Sequence, residues 1–331
     1  MARDRGSLQE DPIRFRITRT AWYAPPRVET AADVGERLGR STEWITGRTG
    51  VLERRVAEES MAAMGGRVGR AVLGEDRPDL IVNASLTPVQ LIPDSSVFIQ
   101  RELGLAGIAS FSIHATCLSF LVGLNTIGAL VQAGAYKRVL LVSSEQGSVC
   151  RDWSEPESAS LIGDGAAAAL LEPVPDGEDS GLLGFSMQTW PEGAELAELR
   201  GCGTAHHPND PTTKPEDNLF RMRGPRLWKM ALQHADEVLD GAFAQAGMKR
   251  DEVDLIVPHQ ASGPMVDLFP KFGFSDEKVM KLVGKYGNCI AASLPMALAS
   301  AVEEGRLKRG QTALLFGTGA GLSMAAGILK F

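Results

Sequence analysis

Close-set cysteine pairs are missing from this 331-residue chain, whose four cysteines are Cys117, Cys150, Cys202 and Cys289. Such a spread supports neither a zinc cluster nor a disulfide framework, and it fits a reducing cytoplasm. No metal ligand set is expected. No apolar run approaches the ~20 residues of a membrane span. The opening MARDRGSLQEDP lacks the apolar stretch of a secretory signal, and reads as a short leader before a first strand at Arg14 to Ala21. A net charge of −7 gives nucleic acid no basic footprint. With 44% hydrophobic and 23% charged residues, the composition is that of a soluble globular protein, long enough for two domains or one of double size.

Against these absences, residues 111–134 (FSIHATCLSFLVGLNTIGALVQAG) stand out. The apolar run Phe111 to Ala115 predicts the end of a buried strand. Leu118, Leu121, Leu124, Ile127, Leu130 and Val131 then recur at helical spacing until Gly134 stops the pattern. Cys117 is thereby predicted at a strand-to-helix turn. Unpaired N–H groups and the positive end of the helix dipole there favour a thiolate and any oxyanion beside it. A lone free cysteine is more often inert core, so the rest of the chain has to decide its role.

Further buried strands are expected at 79–85, 138–144 and 166–171. Helices are expected at 31–38, at a second turn capped by Ser41 and holding Trp44 and Ile45, at 60–73 and at 95–103. After Glu172 the break PVPDGEDSG separates two halves, 1–172 and 173–331. The second half opens on a strand at 181–189, passes through an irregular stretch at 191–224 and enters a helix at 225–247. It then echoes the first. Asp254-Leu255-Ile256-Val257 repeats Asp79-Leu80-Ile81-Val82, and Gly305-Arg306-Leu307-Lys308-Arg309 matches Gly134-Ala135-Tyr136-Lys137-Arg138, each before a strand. The same step of 17 residues leads back from Gly134 to Cys117 and from Gly305 to Asn288. A duplicated α/β unit related by an approximate two-fold would aim two helix N-termini at one cleft, one bearing Cys117 and the other Asn288. Buried strands alternating with amphipathic helices point to a layered α/β architecture.

His259 follows the strand Asp254 to Val257, at a strand end where sites in α/β proteins gather. A thiol, an imidazole and an amide in one cleft support acyl transfer through a covalent thioester. The Cys117 N–H can hold the acyl oxyanion, and the His259 and Asn288 side chains can donate to a second developing oxyanion. The glycine-rich run Gly317 to Gly321 reads either as a simple tight turn or as a turn whose Ala320 N–H faces the thioester carbonyl. It lacks the lysine of a P-loop, and no acidic strand end follows as in a dinucleotide site. Gly163-Asp164-Gly165 reads as close packing. His206-His207 reads as a solvated loop, Cys150, Cys202 and Cys289 have no evident partners, and His114 stands three residues before Cys117.

With Cys117, His259 and Asn288 assembled, the chain resembles the β-ketoacyl-acyl-carrier-protein synthase III family of the thiolase superfamily. The matching pieces run from Glu43-Trp44-Ile45, Arg48-Thr49-Gly50 and Glu53-Arg54-Arg55 through the Cys117 segment and Gly163-Asp164-Gly165-Ala166. They continue with Val257-Pro258-His259-Gln260-Ala261, Tyr286-Gly287-Asn288, Ala291-Ala292-Ser293 and the C-terminal glycine-rich turn. The resemblance implies a thiolase-like five-layer αβαβα fold and a cytoplasmic homodimer with no resident cofactor. It implies that coenzyme A or carrier-protein phosphopantetheine thioesters are substrates. Cys117 would take an acyl group, and His259 and Asn288 would assist decarboxylation of a malonyl-type extender for a Claisen condensation in fatty-acid or polyketide synthesis. Trp44 and Arg48 match positions that contact the coenzyme A end, by stacking and by phosphate pairing.

The sequence also departs from that pattern. Ser262, Gly263 and Pro264 stand where an arginine is frequent, and Glu155-Pro156-Glu157-Ser158 is acidic where relatives tend to be basic. His114 and Thr116 replace small residues before the nucleophile. These departures fit a specialised homologue. An acyltransferase to an oxygen or nitrogen acceptor, and a non-catalytic partner subunit of a heterodimer, are the readings to separate from condensation.

Overall fold

In the computed structural model, which describes residues 11–201 and 203–331, short polar caps turn the chain into its first helices. Strands β1 (Ile13–Arg14) and β2 (Arg16–Tyr23) lead to helix α1 (Ala31–Leu38), where Thr30 and Asp33 form a capping box. Ser41 caps α2 (Thr42–Thr49) by accepting from Trp44 N at 3.1 Å, and Ser60 caps α3 (Met61–Leu73) in the same way. Then come β3 (Leu80–Asn83), α4 (Ser95–Glu102), β4 (Ala109–Ser112), α5 (Ser119–Gln132), β5 (Val139–Gln146) and β6 (Asp164–Glu172). The second half holds β7 (Gly181–Thr189), α6 (Gly224–Ala246), β8 (Leu255–Pro258), α7 (Ser293–Glu303), β9 (Thr312–Gly319) and β10 (Ser323–Lys330).

These strands make two five-stranded sheets, ordered β2-β6-β5-β3-β4 and β1-β7-β10-β9-β8. In the first, β2–β6 and β6–β5 are antiparallel and β5–β3 is parallel. In the second, β7–β10 and β10–β9 are antiparallel and β9–β8 is parallel. The same four-strand unit is therefore built twice. The fifth strands differ: β4 extends the first sheet in parallel beside β3, whereas β1, from the start of the chain, crosses to the second sheet and pairs antiparallel with β7.

Strand alternation sets the layers. Leu80 and Val82 of β3 and Leu255 and Val257 of β8 point into one shared core with Leu121, Leu124 and Ile127 of α5 and Leu294, Ala297 and Leu298 of α7. Their neighbours point the other way. Ile81 meets Met64, Val68 and Val72 of α3, and Ile256 meets Ala235, Val238 and Leu239 of α6. The order is α3, first sheet, α5 with α7, second sheet, α6, which is the five-layer αβαβα fold. Each fully buried aliphatic side chain in that shared core contributes roughly 1.5–3 kcal/mol. Helices α5 and α7 both run out into glycines with left-handed backbone, Gly134 (φ 73°) and Gly305 (φ 69°).

Two local expectations change. Phe111 lies in β4, an edge strand, and is 37% exposed, so the run before Cys117 is not a buried strand. The glycine-rich run opens as strand: β9 continues through Gly319, and the turn begins at Ala320. The irregular segment 191–224 carries one short antiparallel pair, Ala197–Glu198 with Arg221–Met222. The expected leader lies mostly, and Cys202 entirely, outside the described residues.

Candidate active site

Cys117 stands in the turn between β4 and α5, two residues ahead of the first helical residue. Thr116 takes a left-handed conformation (φ 52°), unusual for a β-branched residue. Ser119 tightens the turn, its Oγ accepting from Ala115 N at 3.0 Å and donating to Thr116 O at 2.6 Å. The glycines of β9 let this turn approach the second sheet. A Cβ on Gly317 would lie 2.8 Å from Leu118 Cδ2 and 3.2 Å from His259 Cβ, and one on Gly319 would strike Thr116 Oγ1. Gly317 thus separates the nucleophile turn from His259 by the width of a bare backbone.

His259 leaves β8 with its N–H donating to Phe316 O at 2.7 Å. Its ring is buried, and Nδ1 has no hydrogen-bond partner. Asn288 is held at both ends. Its backbone pairs with Leu161 O and Gly163 N at 2.8 and 3.0 Å. Its Oδ1 accepts from Ile290 N at 2.8 Å, while Nδ2 donates to Ala261 O at 3.2 Å. Ala261 N in turn donates to His259 O at 2.9 Å. Asn288 and His259 are therefore joined through one tripeptide turn, and Asn288 retains a second amide hydrogen for a ligand.

The electrostatics correct one expectation. Burial, and after it the Glu145 carboxylate, push the Cys117 thiol up to about 12, so the helix N-terminus does not make a resting thiolate. The N–H groups of Cys117 and Ala320 face the sulfur and pull the other way. Burial also lowers His259 to about 4, leaving a neutral imidazole at pH 7. The resting pair is thiol and neutral imidazole, not an ion pair.

Glu145 was not singled out from the sequence. It is the penultimate residue of β5, is fully buried, and is raised to about 7 by burial. Leu86 N, Thr87 N and Thr87 Oγ1 donate to it, and the Ala291 N–H also faces it. It ties the turn after β3 to the segment after Asn288. A carboxylate closing the apolar strand VLLVSSE was the available signal. Gly163 and Gly165 serve close packing, a Cβ on Gly165 lying 2.6 Å from Met296 Sδ. Asp164 between them accepts from Ala57 N and Ser148 N, each at 2.8 Å. Arg54 is buried and structural, binding Glu29 and Ala159 O.

A cavity of about 390 Å³ runs between α2, α6 and the turn after His259, reaching Ala261. Arg48 and Glu157 stand on its wall with Leu161, Trp228 and Met265. Trp44 does not line it. It packs with Ala31, Val34 and Ile45 under the Arg40 guanidinium, 5.3 Å from the ring centroid. Trp228 of α6 was missed because its neighbours read as ordinary helix. Where α2 ends, Gly50 rests on Gly263: a Cβ on Gly50 would come within 2.6 Å of the Gly263 Cα. Among the described residues no group of three metal-ligating side chains occurs, and no helix is long and apolar enough to cross a membrane.

Comparison with known proteins matches residues 111–191 to the family model for 3-oxoacyl-[acyl-carrier-protein] synthase III, and residues 243–331 to the model of its C-terminal part. The chain is 33% identical over 323 residues to β-ketoacyl-[acyl-carrier-protein] synthase III of Aquifex aeolicus, covering 96% of this chain and 99% of that one. It is 34% identical over 328 residues to the enzyme of the same name from Oceanobacillus iheyensis, with the same coverage. Among solved structures, the Aquifex aeolicus synthase III superposes with a TM-score of 0.86 at 32% identity, over 96% of this chain and all of that one. A priming β-ketosynthase of the R1128 polyketide pathway superposes with a TM-score of 0.86 at 28% identity, over 96% of each chain.

Proposed function

The chain belongs to the 3-oxoacyl-[acyl-carrier-protein] synthase III family of acyl-thioester condensing enzymes, and from that premise we propose that it forms an acyl-Cys117 intermediate and condenses it with a malonyl-type thioester. The thiol adds to the donor's carbonyl, the donor thiol leaves with the proton, and an acyl thioester on Sγ remains. Neutral His259 is able to receive that proton in passing. The Cys117 and Ala320 N–H groups, which face the sulfur, are suited to hold the oxyanion of each tetrahedral state. The extender then loses CO₂ by breaking its C–carboxylate bond. The electron pair goes to an enolate whose oxygen takes hydrogen bonds from His259 and Asn288. The enolate carbon attacks the acyl-Cys carbonyl, the C–S bond breaks, and the sulfur recovers one proton from solvent.

What carries this reading is the convergence of the nucleophile turn, His259 and Asn288 around Gly317 and Ala261. A neutral imidazole suits it, because it has an N–H to donate without the charge that would compete for the extender's carboxylate. Intact-protein mass measurement with acyl thioesters tests the first half, and product formation with a malonyl thioester tests the second. An acyl adduct that passes to an alcohol or amine but never to a malonyl carbon would replace condensation by simple acyl transfer. No adduct with any donor would leave a silent subunit.

The same reading makes the enzyme a homodimer working in the cytoplasm, where its thiols stay reduced. The supporting observations are the edge strand β4 with Phe111 exposed, and the exposed Leu91 and Ile92 (67% and 84%) shortly before Asp94, whose Oδ1 accepts from Ser112 of β4 at 2.9 Å. A second copy pairing along β4 would cover this surface. Sedimentation as a monomer at micromolar concentration would refute the pairing.

A further inference from the structure

We propose that Glu145 is a positioning residue for condensation: by holding the peptide after Ile290 it fixes the direction of the Asn288 side-chain amide. The inference rests on the condensing reading above, in which that amide donates to the enolate.

Glu145 lies near the end of β5, and β5 packs against the 3₁₀ turn Ile290–Ala292 that leads into α7. Its side chain is fully buried, and the groups that donate to it are uncharged. Leu86 N donates to Oε1, Thr87 N and Thr87 Oγ1 donate to Oε2 at 3.0 and 2.5 Å, and the Ala291 N–H faces the same carboxylate. A carboxylate buried without a cation is costly, and an apolar residue would complete the strand more cheaply. What a carboxylate offers is acceptor capacity with no donor, so it takes N–H groups from two separate loops at once. An amide of the same length has one acceptor oxygen and sets its own N–H groups against theirs.

Ala291 belongs to the turn that holds Asn288. The backbone of Asn288 is already fixed through Leu161 O and Gly163 N, so side-chain rotation is the freedom left to it. Ile290 governs that rotation. It is a β-branched residue in left-handed backbone, φ 50°, an unfavourable conformation. It joins two successive N–H groups with different acceptors. Its own N–H reaches Asn288 Oδ1 at 2.8 Å, and that of Ala291 faces Glu145. Relaxing Ile290 to right-handed backbone would swing one peptide plane against the other and give up one acceptor. With Glu145 in place the turn stays wound, Oδ1 stays occupied, and Nδ2 stays directed at the Ala261 turn beside His259. Glu145 also bears on Cys117, but its charge there opposes the thiolate. It therefore gives acylation no help, and the two half-reactions separate its roles.

The test is a double-mutant cycle on Glu145 and Asn288, with acylation of Cys117 followed by intact mass and condensation by product release. Glu145→Gln should lower condensation about 10–10²-fold, the scale of a small misplacement. Acylation should hold within about threefold or rise, since the charge opposing the thiolate is gone. In the Asn288→Ala background, adding Glu145→Gln should cost condensation less than about threefold more, because the group it orients is no longer there. Glu145→Asp keeps an acceptor-only group one methylene short. It should lose less than Glu145→Gln with the same non-additivity, and it carries the cycle if the amide variant does not fold. Losses that multiply across the cycle, or acylation falling as far as condensation, overturn the proposal. A wild type that takes an acyl group but never condenses overturns the proposed function itself, an outcome distinct from a condensing wild type whose two losses multiply.

Discussion

Set side by side, the turn before α5 and the turn before α7 occupy the same place in two copies of one four-strand unit, yet they hold their side chains differently. Cys117 is joined almost directly to its helix, and the groups facing its sulfur are two backbone N–H donors. Asn288 is set back from α7 by the 3₁₀ turn Ile290–Ala292, and both atoms of its amide are hydrogen-bonded. Each turn spends one β-branched residue in left-handed backbone, Thr116 at φ 52° and Ile290 at φ 50°. The contrast suits the tasks proposed for the two residues. A nucleophile has to exchange partners as its bond to the acyl group forms and breaks. An amide that steers an enolate has to keep one direction throughout. A duplicated scaffold supplies the position, and local hydrogen bonding decides how freely the side chain moves.

Breaking the contrast at the sulfur should have the largest effect. Cys117→Ala should remove the acyl adduct and lower condensation by at least about 10³, read by intact mass and product release. Breaking it at the amide should separate the two half-reactions. Asn288→Ala should cost condensation about 10²–10³ while self-acylation falls by less than about tenfold. Equal losses in both steps would mean that Asn288 serves Cys117 rather than the enolate.

Protons sharpen the comparison further, since the halves respond to pH in opposite senses. His259, lowered by burial from 6.5 to about 4, binds a proton more tightly when unfolded, so it subtracts stability as pH falls from 6.5 towards 4. Glu145, raised by burial from 4.5 to about 7, binds its proton more tightly when folded, so its contribution is lost as pH rises from 4.5 towards 7. Each shift corresponds to about 3 kcal/mol, and between pH 4.5 and 6.5 they offset. Removing one should expose the other. Thermal midpoints of His259→Gln should decline as pH rises from 4.5 to 7, and those of Glu145→Gln should climb from pH 4 to 6.5. Parallel curves for the two variants would refute the opposition.

The smallest effect concerns backbone strain. Thr116→Gly relieves a left-handed β-branched residue and deletes a buried Oγ1 that has no partner. Against the extra entropy of an unfolded glycine, a net gain of about 1 kcal/mol is expected in denaturant unfolding. Ile290→Gly should gain nothing, because the Ile290 side chain is packed on Gly147, where an added Cβ would meet its Cδ1 at 2.6 Å.

What could be read from the chain was what is local or periodic. The strand at 181–189, the Ser41 cap and the long helix opening near 225 appear where capping and spacing put them. The spacing shared by Cys117 and Asn288 is mirrored in two sheets of matching order. What escaped depends on neighbours remote in sequence. The exposure of Phe111 follows from β4 lying at a sheet edge, which no apolar run announces. The raised thiol follows from burial outweighing a dipole, and a dipole can be inferred from sequence where burial cannot. Trp228 could not be told from any other helical aromatic until α6 was laid along the cavity. The two residues of β1 are too few to carry a period, so their crossing to the far sheet left no trace.

The backbone contact between Gly50 and Gly263 gives the architecture a mechanical property. With no side chain between them to act as a cushion, the lip that bears Arg48 bears directly on the loop that bears His259. Interiors packed this tightly transmit displacement rather than absorb it. A push on the outer rim has no soft side chain at this point to absorb it before it meets the loop that follows His259.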